Sequence, residues 1–154
     1  MRILFVAGFG PIVRDGEASR RLYGESLGIA LDAEAGGYLH TERLDGVKAF
    51  ALWPLAQAAE SCFGTAEWPE HIPIPQAWLE FDVDDLEAAT AELRANGYAL
   101  LVTARLEPWG QTVTRLLAPE GILVGITNTP WMRRPDTDPG TSAGTEPPTG
   151  EESA

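Results

Sequence analysis

The chain has 154 residues, 44% of them hydrophobic, with 11 Lys and Arg against 23 Asp and Glu, for a formal net charge of −12. At this length one folded domain is expected. So acidic a chain, with no basic run longer than Arg20-Arg21 or Arg133-Arg134 and no apolar run near the roughly 18 residues of a spanning helix, excludes nucleic acid and membrane as partners.

The acids divide unevenly. Residues 135–154 hold five of them and no base, which leaves 18 acids and 11 bases, a balance of −7, in the residues before. Pro, Gly, Thr and Ser dominate there, so residues 132–154 are expected to be a disordered acidic tail. Cys62 is the single cysteine, which excludes an intramolecular disulfide or a thiolate metal cluster. Residues 1–6 run into a β-like segment without the features of a secretory leader, and a cytoplasmic location is expected.

In chain order, residues 3–13 read as a strand, and Asp15 as the N-cap of a helix that runs through Ser26 and stops at Gly28. Residues 29–31 and 38–42 read as short strands around the Gly36-Gly37 turn, and residues 47–53 as a third. Pro54 opens an Ala-rich helical turn over residues 55–62, closed by Gly64. Three prolines in residues 68–75 mark a connector. The pattern then repeats: a strand at 77–83, a helix capped by Asp84-Asp85 with Leu86, Ala89 and Leu93 on one face, a stop at Gly97, and strands at 98–104, 112–117 and 122–127. The result is β-α-β-β-β twice, over about residues 1–66 and 74–131, an internal repeat of about 70 residues.

Residues 15–28 with Leu22-Tyr23 and Ser26-Leu27-Gly28, residues 81–86 through Asn96-Gly97, and residues 118–125 with Pro119-Glu120-Gly121 carry a family resemblance. Residues 1–131 resemble the vicinal oxygen chelate superfamily, which contains glyoxalase I, extradiol dioxygenases and bleomycin resistance proteins, and are most similar to its metal-free, bleomycin-resistance-like members. The resemblance implies an α+β fold in which tandem βαβββ units form a curved mixed sheet around a cleft, with helices outside. It also implies a homodimer.

Enzymes of that superfamily hold a divalent metal at four positions, one on each outer strand of each half. Alignment on Asp15 and Asp85 places two of them on Gly8 and Trp78. The turn at 119–121 places the third on Gly125, and counting from Gly46 places the fourth on Phe50, in a strand without Asp, Glu or His. No position carries a donor, so no metal and no cofactor are expected. His40, in a short strand, and His71, in the Pro-rich connector, read as surface or hydrogen-bonded residues, and Cys62 reads as an inert thiol in a packed helical turn.

Strand parity gives a reading of the cleft from the residues themselves. Ala77, Leu79, Phe81 and Val83 are expected under a helix, with Gln76, Trp78, Glu80 and Asp82 on the opposite face; Ile122, Val124 and Ile126 alternate likewise with Leu123, Gly125 and Thr127. In the family the opposite face is concave. Trp78 and Glu80 are then expected in the cleft, with Gly8 and Gly125 leaving room, Phe50 beside them, Trp53 and Trp109 as aromatic walls, and Arg115 as a partner for Glu80. Trp68 and Trp131 are candidates to cover the cleft or a dimer contact.

Such a cleft suits a flat organic ligand, and Glu80 favours a cationic group on it. The expected function is metal-independent binding of a small aromatic molecule, in the manner of drug sequestration. The alternatives are a lyase, isomerase or dioxygenase-like enzyme with an atypical metal site or with Glu80 as general base, and a regulatory module whose acidic tail meets a partner.

Overall fold

The computed structural model describes residues 1–133; the tail expected at 132–154 lies almost wholly outside them. Eight strands form one sheet: β1 (Ile3–Val13), β2 (Asp32–Ala33), β3 (Leu39–Thr41), β4 (Ala49–Pro54), β5 (Ala77–Val83), β6 (Leu100–Leu106), β7 (Thr112–Leu117) and β8 (Ile122–Asn128). Their spatial order is β2-β3-β4-β1-β5-β8-β7-β6. Each half repeats the other: the first strand pairs parallel with the last strand of its unit, and β1 and β5 meet antiparallel at the centre. This is the mixed, curved βαβββ sheet, with α1 and α3 packed on its outer face.

The helices start where the caps predict. Asp15 accepts from Ala18 N at 3.0 Å and opens α1 (Gly16–Arg20), which widens into a π-helical turn over Arg21–Ser26. Asp85 accepts from Ala88 N at 2.9 Å and opens α3 (Leu86–Ala95). Leu86 and Ala89 of α3 are buried against Val83 and Ile126, with Leu93 beside them. Tyr23 packs with Val13, Phe50 and Leu52 on the same outer face of the other half.

A third helix, α2 (Leu55–Phe63), lies on the opposite, concave face. It follows β4 without a loop, and Gly64 ends it with φ +76°, its N–H on Glu60 O. Ala58 and Ala59 are fully buried, and side chains this small let the helix sit down on the sheet. Ala58 and Cys62 join Ile12, Ala51, Trp53, Trp78 and Leu123 in the main core, with Phe63 and Trp68 at its edge.

Several expectations shift. Residues 29–31 form no strand, because Ile29 and Leu31 are drawn into the outer core; β2 comes later, at Asp32–Ala33. β6 begins and ends two residues after the expected 98–104. Phe50, expected inward, packs at 5.9 Å from Tyr23 on the outer face. Its strand is one residue out of the expected register: Phe9 pairs with Phe50 as Leu79 pairs with Val124, so the first-half counterpart of Gly125 is Ala51.

The outer face of the central strands is left partly bare. α1 covers β4 and α3 covers β6 to β8, while Phe9, 42% exposed, lies beside Leu79 between them, with Pro11, Ala77, Phe81 and Val124 half-buried around the pair. Among the described residues no helix is long and apolar enough to cross a membrane.

Candidate functional site

The concave face carries a cleft of about 600 Å³. Alternation sends Trp78, Glu80 and Asp82 of β5 to this side, as expected, but they are the buried set, at 5%, 7% and 0% exposure, while Ala77, Leu79 and Phe81 are only half-buried. α2 roofs part of the concavity over Trp78, and the turn at Thr129–Arg133 closes over Asp82.

Gly8 and Gly125 do not leave open room. A Cβ at Gly8 would overlap the six-membered ring of Trp78, and one at Gly125 would stand 2.8 Å from Cγ of Glu80. Trp78 and Glu80 themselves fill the space above the two glycines. Trp78 meets Trp53 edge-on at 5.8 Å between ring centres, and its indole N–H is the one buried side-chain polar atom among the described residues without a partner.

The cleft floor is a buried ionic network around Arg115, which is 1% exposed. Its Nη2 donates to Glu80 Oε1 at 3.0 Å, and its Nη1 donates to Glu107 Oε1 and to Ser61 Oγ, each at 2.6 Å. The Ser61 hydroxyl also contacts Glu107. Gln111 donates to Glu80 Oε2 at 2.7 Å and to Thr127 Oγ1 at 2.8 Å. The guanidinium also lies 5.1 Å from the Trp53 ring centre. Burial opposes the charge on Arg115, but the Glu80 carboxylate and then Glu107 outweigh it and raise its pKa. Two buried acids around one buried cation need further partners: Gln111 takes the second oxygen of Glu80, Ser61 shares Glu107 Oε1 with Arg115, and Arg105 Nε lies 3.9 Å from Glu107 Oε2. Ser61, Glu107 and Gln111 were not among the expected site residues.

The walls and mouth are aromatic and acidic. Trp109 is 58% exposed on the Glu107–Gly110 turn, its N–H on Gln111 Oε1 at 2.7 Å. Trp131, 56% exposed, also borders the cleft. Asp82 anchors the turn that carries it, accepting from Thr129 N at 2.7 Å and Arg133 Nε at 2.8 Å. Across from them Tyr38 stacks on His40 at 5.6 Å, and His40 Nε2 lies 3.0 Å from Glu34. Burial, and then Glu80, Glu34 and Glu42, push the Tyr38 phenol well above its ordinary range. Trp68 is away from the cleft, packed on Phe63. Cys62, on the buried face of α2, has its thiol pushed up to about 11 by burial, so it is a poor nucleophile at neutral pH.

The four positions where the family resemblance puts metal ligands are Gly8, Ala51, Trp78 and Gly125, none with an oxygen or imidazole donor. Among the described residues no three His, Cys, Asp or Glu side chains are placed to hold a metal ion. Glu80, the nearest acid, is committed to Arg115 and Gln111. The residues present do not fit the family's metal.

Three solved structures illustrate the likeness of fold. A superfamily member from Vibrio splendidus 12B01 is 17% identical, with 80% of this chain and 97% of that one covered and a TM-score of 0.53. A Streptomyces coelicolor methylmalonyl-CoA epimerase in complex with 2-nitronate-propionyl-CoA is 16% identical, with coverages of 87% and 100% and a TM-score of 0.51. A Legionella pneumophila protein named an NAD-dependent benzaldehyde dehydrogenase is 12% identical, with coverages of 79% and 96% and a TM-score of 0.54. At such identities the likeness speaks for the fold alone. No curated protein matches the sequence. The duplicated sheet agrees with a family model that matches residues 8–126, most of the chain, and the protein belongs to the glyoxalase/bleomycin resistance protein/dioxygenase superfamily.

Proposed function

We propose that this chain is a metal-independent small-molecule-binding protein, acting in the cytoplasm, that sequesters a flat aromatic antibiotic or natural product in the concave cleft. The observation that carries this reading is the pairing of an aromatic-walled cleft of about 600 Å³ with a floor whose polar groups are already bonded to one another. Such a floor offers shape and stacking rather than a reactive group. The lining acids Glu34, Glu42 and Glu60 face one lining guanidinium besides Arg115, that of Arg105, which is itself tied to Glu107 and the end of α2, so a neutral or cationic ligand is favoured over an anionic one. Glu80 as a general base is disfavoured, because Arg115 and Gln111 occupy both its oxygens.

Titration of tryptophan fluorescence with a panel of aromatic antibiotics, and with ethidium as a flat monocation, is the test. Saturable quenching is expected, and Trp109→Ala should raise Kd by about 3- to 10-fold through loss of one stacking face. Quenching insensitive to Trp109→Ala and Trp131→Ala would remove the site. One equivalent of Ni, Zn, Mn or Fe per chain in protein purified without chelator would overturn the metal-independent reading.

The homodimer is proposed to form through the bare strip of β1 and β5. Phe9 and Leu79 pair at the centre of this strip, and an isologous dimer would set the strip of one copy against the same strip of the other. Both copies are acidic, so contact must come from this apolar strip and should strengthen as salt screens the repulsion. Sedimentation should show a dimer favoured by salt and abolished by Phe9→Glu. A salt-independent monomer would exclude the arrangement.

A further inference from the structure

Ala104 is the only non-glycine among the described residues with positive φ, at +44°. It sits in β6 where the ladder to β7 slips: Val102 lies opposite Arg115, whereas Arg105 lies opposite Val113. Plain alternation from Val102 would send residues 104 and 106 to the concave face and residues 105 and 107 to the outer face. The extra residue inverts this. Arg105 and Glu107 line the cleft, while Leu106 is 68% exposed.

What the inversion delivers is the site. Arg105 Nη1 donates to Ser61 O at 2.7 Å and Glu60 O at 3.2 Å, the carbonyl end of α2, where a cation is favoured. Glu107 takes Arg115 and Ser61. The strained residue is in turn pinned from the other face: Ala104 N donates to Thr114 Oγ1 at 2.9 Å, and Thr114 Oγ1 lies 2.7 Å from Thr90 Oγ1 of α3, both threonines buried. A backbone held in a sparsely populated region persists only where its surroundings fix it, and bulges of this kind re-aim side chains beside binding sites.

We propose that the Ala104 bulge and Thr114, its hydroxyl pin, are positioning residues of the cleft, turning Arg105 and Glu107 inward and thereby docking α2 as the roof over the ligand site. The role of the cleft rests on the ligand-binding reading above; the docking of α2 does not.

The test is amide hydrogen exchange of α2 in the free full-length protein, alongside ethidium affinity. Thr114→Val leaves the Ala104 N–H without its acceptor, and exchange over residues 60–63 should quicken about 10-fold beyond any change in global stability. Thr114→Ser keeps the hydroxyl and should restore protection. Thr90→Val removes only the contact to α3, so α2 should keep wild-type protection. Loss of protection in Thr90→Val equal to that in Thr114→Val, or unchanged α2 exchange in Thr114→Val, overturns the proposal. Should Thr114→Val not fold, Ala104→Gly and Ala104→Val decide it: glycine accepts positive φ and should preserve α2 protection, whereas a β-branched residue should lower it. The reverse order overturns the proposal. For the cleft, Thr114→Val and Arg105→Met should weaken ethidium binding non-additively, and additive losses would count against the coupling. Failure of ethidium to bind the wild type would remove the ligand reading and leave the exchange result to decide the docking of α2.

Discussion

Arg115→Met is expected to destabilise the protein by about 3–5 kcal/mol, read from the midpoint and slope of urea unfolding. The size follows from what is left behind. Methionine fills much of the volume, but Glu80 and Glu107, 7% and 3% exposed, would lose the cation that bridges them, and only the partly exposed Arg105, 3.9 Å from Glu107, would remain nearby. Ser61 would lose its donor as well, loosening the contact that ties α2 to β7. Removing the charges together should be far less harmful: Arg115→Met with Glu80→Gln and Glu107→Gln is expected to recover most of the loss, because amides need no counter-ion. Destabilisation of less than about 1 kcal/mol by Arg115→Met, the range of solvent-screened pairs, would show that water reaches the network. A triple variant no more stable than the single one would show that shape, not charge, holds the floor together.

The parts of the molecule that were legible in the sequence are those set by neighbours along the chain. Asp15 and Asp85 announce their helices because an N-cap needs only its own next three residues, and Gly64 ends α2 because an αL cap favours a residue without Cβ. Trp78 and Glu80 could be aimed correctly because β5 alternates without interruption. Phe50 was misplaced because the inward parity of β4 depends on its pairing with β1, which is a tertiary fact. Arg105 and Glu107 were hidden by the Ala104 bulge, which reverses the plain alternation of a strand. Ser61 was hidden because nothing local tells which face of the sheet α2 will take; the only hint was a run of alanines small enough for close docking. The candidate site therefore lies where tertiary pairing overrides local pattern, and the fold where it does not.

Trp78 offers the second large effect, and its coupling to Gly8 decides how the cleft came to be filled. Trp78→Ala should cost about 3–5 kcal/mol, as for other large aromatics removed from a core. Trp78→Phe should cost less than about 1.5 kcal/mol, because a smaller ring still covers Ala51, Trp53 and Leu123 while the unpartnered indole N–H disappears. Gly8→Ala alone should cost about 1–3 kcal/mol by overpacking, since the new Cβ would occupy the volume of the Trp78 ring, which Trp53 prevents from swinging away. Combined with Trp78→Ala, the same methyl enters a cavity instead. The double variant should thus be more stable than the sum of the two losses by about 0.5–3 kcal/mol. That sign is what the geometry requires: indole and glycine share one volume, so a side chain at position 8 and a tryptophan at position 78 exclude each other. If the two losses simply add, the ring has room to turn aside and the absence of a side chain at Gly8 serves something other than Trp78.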